Sequence, residues 1–208
     1  ARKLECLLML DLKEEYTKQI KYLSKEFSED RRLAAISAYM SNQFNIIDIF
    51  PFCPDPLNFV YATNLNKSFN NFDNFLKKLF SEITNQDFTW EPYARTTVKG
   101  YVTKGNLSDL NLPSLLNLEK AFREKITEYK NHFIKQKCNF ITQWPKKFKF
   151  SIWSNRLKSE GHNIPHHHPS GWLSGVFYLK IPPTVNKNEA GIEFSLHGDE
   201  YKIINENI

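Results

Sequence analysis

No stretch of this sequence approaches the roughly 18 consecutive apolar residues that a membrane-spanning helix needs. The opening ARKLECLLML has no charged n-region, apolar h-region and cleavage site, so secretion is not indicated. It also lacks an initiator Met, and residue 1 need not be the native start. Glycine and proline are sparse, 7 and 10 of 208 residues, which removes collagen-like and linker-like readings. The three cysteines (Cys6, Cys53, Cys138) are odd in number, far apart and without a Cys-x-x-Cys. They read as reduced thiols of a cytoplasmic protein. One-sided charge is missing too, with 28 Lys+Arg against 23 Asp+Glu. The densest basic cluster, Lys146, Lys147 and Lys149, is short and is no stripe interleaved with stacking aromatics. A nucleic-acid partner is therefore not expected.

Aromatic residues are what the chain has in plenty, 14% with 17 Phe, and this argues against disorder. Residues 3–29 place Leu4, Leu7, Leu8, Tyr16, Ile20, Leu23 and Phe27 close to a 3.6-residue stripe, and predict a helix. Residues 31–43 predict a second, shorter helix with two alanines at its centre. The pair is expected to form a helical segment over 1–50, in the manner of the last pair of a helical-repeat array. The three prolines of 51–60 call for an extended connector. Helices are predicted over 68–84, capped by Ser68 with Phe69, Phe72, Phe75, Leu76, Leu79, Phe80 and Ile83 on one face, and over 114–134. Together they give helical support over about 68–137. Residues 96–105 predict a strand with a turn.

Beyond residue 145 the pattern turns β. Strands are predicted over 148–157, 172–182 and 191–198, the last ending at Gly198. Short strands between polar loops suggest a sandwich or jelly roll. An eight-stranded jelly roll needs about 64–96 residues, yet only 61 run from Phe148 to Ile208. The β part, about 148–208, is thus expected to be incomplete.

Four of the six histidines, His162, His166, His167 and His168, fall in GHNIPHHHPSGW. On extended backbone His166 and His168 share a side and His167 points away. Two imidazoles on one face suit a divalent metal. A solvated His-rich loop is the plain alternative. Spacing removes several metal classes: there is no His-Glu-x-x-His helix and no cysteine pair for a finger. A cupin expects an acid a few residues on, where this chain has PSGWLSG. A 2-His-1-carboxylate triad would carry Asp or Glu at 168.

HHHPSGWLSGVFYLKIP followed by GIEFSLHGD closely resembles the 2-oxoglutarate–Fe(II) oxygenases, in the branch with an H-x-H-P-S-G-W-L-S-G-V-Y-Y-L signature, often carried behind tetratricopeptide-like helices. The blocks PFCPDPLNFV, TTVKGYVTKGNLSDL and FKFSIWSNRLKSEGHNIPHHHPSGW resemble it as well, so the likeness covers most of 31–208. It implies an α+β fold, with an N-terminal helical segment followed by an oxygenase-like domain over 51–208, whose double-stranded β-helix over about 148–208 is truncated. It further implies Fe(II), with 2-oxoglutarate and O2 as co-substrates, decarboxylation to succinate, and hydroxylation of an unidentified substrate, protein among the candidates. His166 matches the first ligand, and His168 stands where relatives carry the carboxylate, either as a ligand or behind one. Trp153, Asn155 and Tyr178 are expected to line the site, and Ser174 and Gly175 to allow close backbone packing. The distal histidine and the basic residue that pairs with 2-oxoglutarate are not found before Ile208. His197 and Glu193 share a face of the last predicted strand and could substitute as a third ligand, but the favoured reading of both is plain sheet surface. The rival readings are a non-catalytic interaction module with a vestigial metal site, and a cupin-like metal-binding jelly roll.

Overall fold

The computed structural model describes residues 2–183, 189–197 and 203. The chain is α+β, with helices first and a small antiparallel sheet after them. Helices α1 (Arg2–Met9), α2 (Lys13–Glu26) and α3 (Arg31–Gln43) come first, then α4 (Phe72–Thr84), α5 (Pro113–His132) and the single turn α6 (Asn139–Thr142). The sheet is β1 (Phe88–Trp90), β2 (Thr97–Thr103) and β3 (Asn155–Asn163), in the order β1-β2-β3.

The single helix expected over 3–29 is two. Asp11 takes a left-handed φ of 54°. Leu12 N–H donates to Leu7 O and Asp11 N–H to Leu8 O, both at 2.9 Å. These bonds form a Schellman stop. Hydrophobic spacing misses it because Leu7 and Leu8 continue the stripe up to the break. The second helix runs over 31–43 as predicted, its first N–H groups taken by the Asp30 side chain. Asn45, φ 50°, closes it with the same pair of bonds, Ile46 to Ser41 O and Asn45 to Asn42 O.

The connector holds a short 3-10 turn, Pro56–Phe59, rather than staying extended throughout. The predicted Ser68 cap is corrected as well. Ser68 sits in a separate 3-10 turn, and Asn71 caps α4 through Asn74 N–H. Phe75, Leu79 and Ile83 face inward as expected, while Phe80 is turned to solvent. Pro113 opens α5. No side chain of its own caps that helix; Glu82 of α4 does so, accepting from Ser114 N–H at 2.9 Å and Ser114 Oγ at 2.8 Å.

Two apolar cores result. The first joins Leu4, Tyr16, Ile20, Leu33 and Tyr39 to Phe50, Phe52, Tyr129, Phe133 and Phe140, with Trp172 against its rim. The second lies between α4 and α5, around Leu79, Leu107, Leu115 and Leu118, with Phe177 and Leu179 packed on it.

The strand predicted over 148–157 starts only at Asn155 and runs on to Asn163. Before it, Ile152 is held by Leu107 N–H, which donates to its carbonyl at 2.8 Å, and by Asn106 Oδ1, which accepts from its N–H at 2.8 Å. β3 was hard to see in the sequence because NRLKSEGHN is polar on both faces. Its register against β2 slips between Val98 and Gly100, where Lys99 (φ 48°) and Glu160 (φ 60°) form an ion pair across the bulge. A Cβ on Gly161 would stand 2.5 Å from Lys99 O, so the bulge needs glycine there.

The strands predicted over 172–182 and 191–198 are not formed among the described residues; Gly198 lies outside them. The first still alternates in burial. Phe177 and Leu179 turn inward while Val176 and Tyr178 are exposed. The side-chain period of a strand is present, and a hydrogen-bonded neighbour is what the segment lacks among the described residues. No helix among the described residues is long and apolar enough to cross a membrane.

Candidate metal centre

β3 delivers the chain to the histidine loop. After Asn163, paired with Thr97, Ile164 N–H donates to Thr96 O at 2.9 Å and the chain leaves the sheet. Pro165 and Pro169 then fix φ on either side of the three histidines. A turn closes the loop, Gly171 N–H donating to His168 O at 3.0 Å.

His166 and His168 come together, as their spacing predicts. Their rings meet edge to face with centroids 4.8 Å apart. His166 Nδ1 lies 2.7 Å from Ile164 O. A carbonyl oxygen only accepts, so Nδ1 carries the proton and the lone pair of neutral His166 is on Nε2. This second contact is what fixes the tautomer of a metal-binding imidazole. The Trp153 ring lies beside His168, tilted, with 5.4 Å between centroids.

His168 is held below the usual histidine range, chiefly by burial, then by the neighbouring charges of His166, His167 and Arg95. His167 is also lowered, by desolvation first and then by Arg32. Its ring keeps an exposed surface. Neutral imidazole is the form that binds a metal.

Of the other predicted residues, Asn155 is exposed at the start of β3, opposite Val102, and Tyr178 is 42% exposed. A Cβ on Gly175 meets nothing within 4 Å, so the close packing expected there is absent. His197 is half-buried, its carbonyl accepting from Ser195 Oγ at 3.2 Å, and Glu193 is exposed. No group of three His, Cys, Asp or Glu able to hold a metal occurs among the described residues. The loop thus brings two imidazoles together, a donor type that suits Fe, Zn, Cu and Ni, and would offer a metal two ligands.

Sequence reasoning missed Arg31, Arg95 and the Ile164 carbonyl. The Trp that follows HHHPSG in the motif was a usable signal for the anchor at Trp172.

Residues 151–204 match the family model described as "Putative 2OG-Fe(II) oxygenase". The match spans β3 and the histidine loop and begins beyond PFCPDPLNFV and TTVKGYVTKGNLSDL. No curated protein and no solved structure matches the chain. Over its matched segment, then, the chain is similar to 2-oxoglutarate-using iron oxygenases, and the paired imidazoles lie within that segment.

Proposed function

We propose that this chain carries the iron-binding loop of an Fe(II)- and 2-oxoglutarate-dependent dioxygenase, with His166 and His168 as ligands. One observation carries the reading. Within the oxygenase-like segment, the Ile164 carbonyl leaves His166 Nε2 free to ligate, beside the His168 ring at 4.8 Å. Bound iron with 2-oxoglutarate and O2 supplies hydroxylation of a C–H bond, with succinate formed alongside. The chain's own part is to hold two imidazoles side by side and to shield one edge with Trp153. The alternating burial of Phe177 and Leu179 supports a jelly-roll strand over 172–182. The three free cysteines support a cytoplasmic setting.

The test is calorimetric Fe(II) binding under argon, paired with succinate release from 2-oxoglutarate. His166→Ala is expected to weaken iron binding by on the order of 100-fold. Unchanged affinity sinks the assignment. A second reading is a binding module with a vestigial metal site, favoured by the want of a third donor among the described residues. It predicts iron binding that depends on His166 without any succinate.

A further inference from the structure

Two arginines open α3, where the helix dipole disfavours cations and where no acidic residue stands in the first turn. Both reach outside the helix for a partner. Arg32 Nη2 lies 3.3 Å from Glu5 Oε1 of α1. Arg31 donates its Nε–H to the carbonyl of Pro169 at 2.7 Å and sets its guanidinium 5.9 Å from the centre of the Trp172 ring. Trp172 is itself anchored. Its indole N–H donates to Phe140 O at 3.1 Å, and its ring lies 5.3 Å from Phe52 and 6.3 Å from Phe140.

The histidine loop is therefore tied at both ends. At the near end β3 and the Ile164 carbonyl hold His166. At the far end Pro169, one residue past His168, hangs on Arg31, and Trp172 is seated in the first core. Only the far tie runs to the N-terminal helices, 138 residues away in sequence. We infer that Arg31 is a positioning residue for the two histidines, clamping the loop through Pro169 and Trp172 so that α3 becomes part of the metal site. The inference rests on the reading of His166 and His168 as ligands. It makes the helical segment a brace on the loop that carries the donors.

Arg31 can be changed without harming its own helix. Asp30 accepts from Arg32 and Leu33 N–H and not from the Arg31 side chain, and alanine is a good helix former. The decisive experiment uses the full chain and two readouts: hydrogen exchange over 164–173, and calorimetric binding of Ni(II), a redox-silent stand-in for Fe(II). Arg31→Ala is expected to speed exchange over 164–173, to weaken Ni(II) on the order of 10-fold, and to leave the thermal midpoint unchanged. Arg31→Met keeps the length of the side chain and removes both the donor and the charge, so it should behave like the alanine variant. Unchanged exchange and affinity in Arg31→Ala overturn the clamp. A methionine variant as good as the parent also overturns it, since packing of the side chain alone would then suffice. If the parent chain takes up no Ni(II), the ligand reading fails, and the exchange readout still decides the clamp.

Discussion

At the scale of single residues, Asp48 has consequences that reach beyond its size. Tyr16 Oη donates to Ser37 Oγ at 3.4 Å, and Ser37 Oγ donates to Asp48 Oδ1 at 2.6 Å. Phe50 N–H donates to the same Oδ1 at 2.9 Å. Burial raises the Asp48 carboxyl above its ordinary value of 3.8, and the two hydrogen bonds offset this only in part. Folded Asp48 thus holds its proton more tightly than the unfolded chain does. The stability it contributes is complete below 3.8 and is lost as pH rises through the raised value. Asp48→Asn keeps the Oδ1 acceptor and has no charge to bury. It is expected to remove that pH dependence and to match or exceed the parent at pH 7, read as urea midpoints at pH 4 and 7. Asp48→Ala strands the Ser37 hydroxyl and the Phe50 amide and should cost about 1–3 kcal/mol. Nothing in the sequence marks this network, because its donors come from α2, α3 and the following loop. The pair His166 and His168, by contrast, was legible, since a two-residue spacing says which side chains share a face. Arg95 and Arg31 were not, since both meet the loop only through the fold.

At the scale of elements, the ends of helices were harder to read than their bodies. Apolar spacing located α3, α4 and α5 to within a few residues, because a 3.6-residue stripe survives in any sequence that must bury one side. The break at Asp11 hinged on one left-handed residue that such a stripe does not register. Glycine takes that conformation without the steric penalty of a Cβ. Asp11→Gly is therefore expected to stabilise by up to about 1 kcal/mol, visible as a rise of about 2–4 °C in Tm. The start of α5 depends on a partner that local reading does not supply. Glu82 caps it from α4. Glu82→Ala should cost about 1–2 kcal/mol by orphaning the Ser114 N–H and removing an anion from the positive end of the dipole. A urea titration of both variants against the parent checks these signs. β3 was missed for the opposite reason. Its pairing with β2 is enforced by backbone bonds and a bulge, while its side chains carry no alternation to see.

For the molecule as a whole, the α+β class was readable and the extent of the sheet was not. Phe177 and Leu179 alternate with exposed neighbours, so the pattern in the sequence is real. A strand is also a relation to another strand, however, and composition does not report that. Phe140 ties the whole together. Its ring meets Phe52, Phe59, Tyr129, Trp144 and Trp172, from four separate stretches of chain. Phe140→Ala is expected to cost about 3–5 kcal/mol and to loosen the seat of Trp172, so that thermal stability and exchange over 164–173 change together. Changes confined to stability would separate the core from the loop.

The first core also sets a timetable. Leu4 and Phe140 belong to one cluster, so α1 emerges from the ribosome long before its apolar stripe can be covered. At about 5–20 residues added per second, the 136 residues between them take roughly 7–27 s. Throughout that interval α1, α2 and α3 have one another but not Tyr129, Phe133 and Phe140, and the growing chain shows apolar surface of the kind chaperones cover until α5 and α6 have been made.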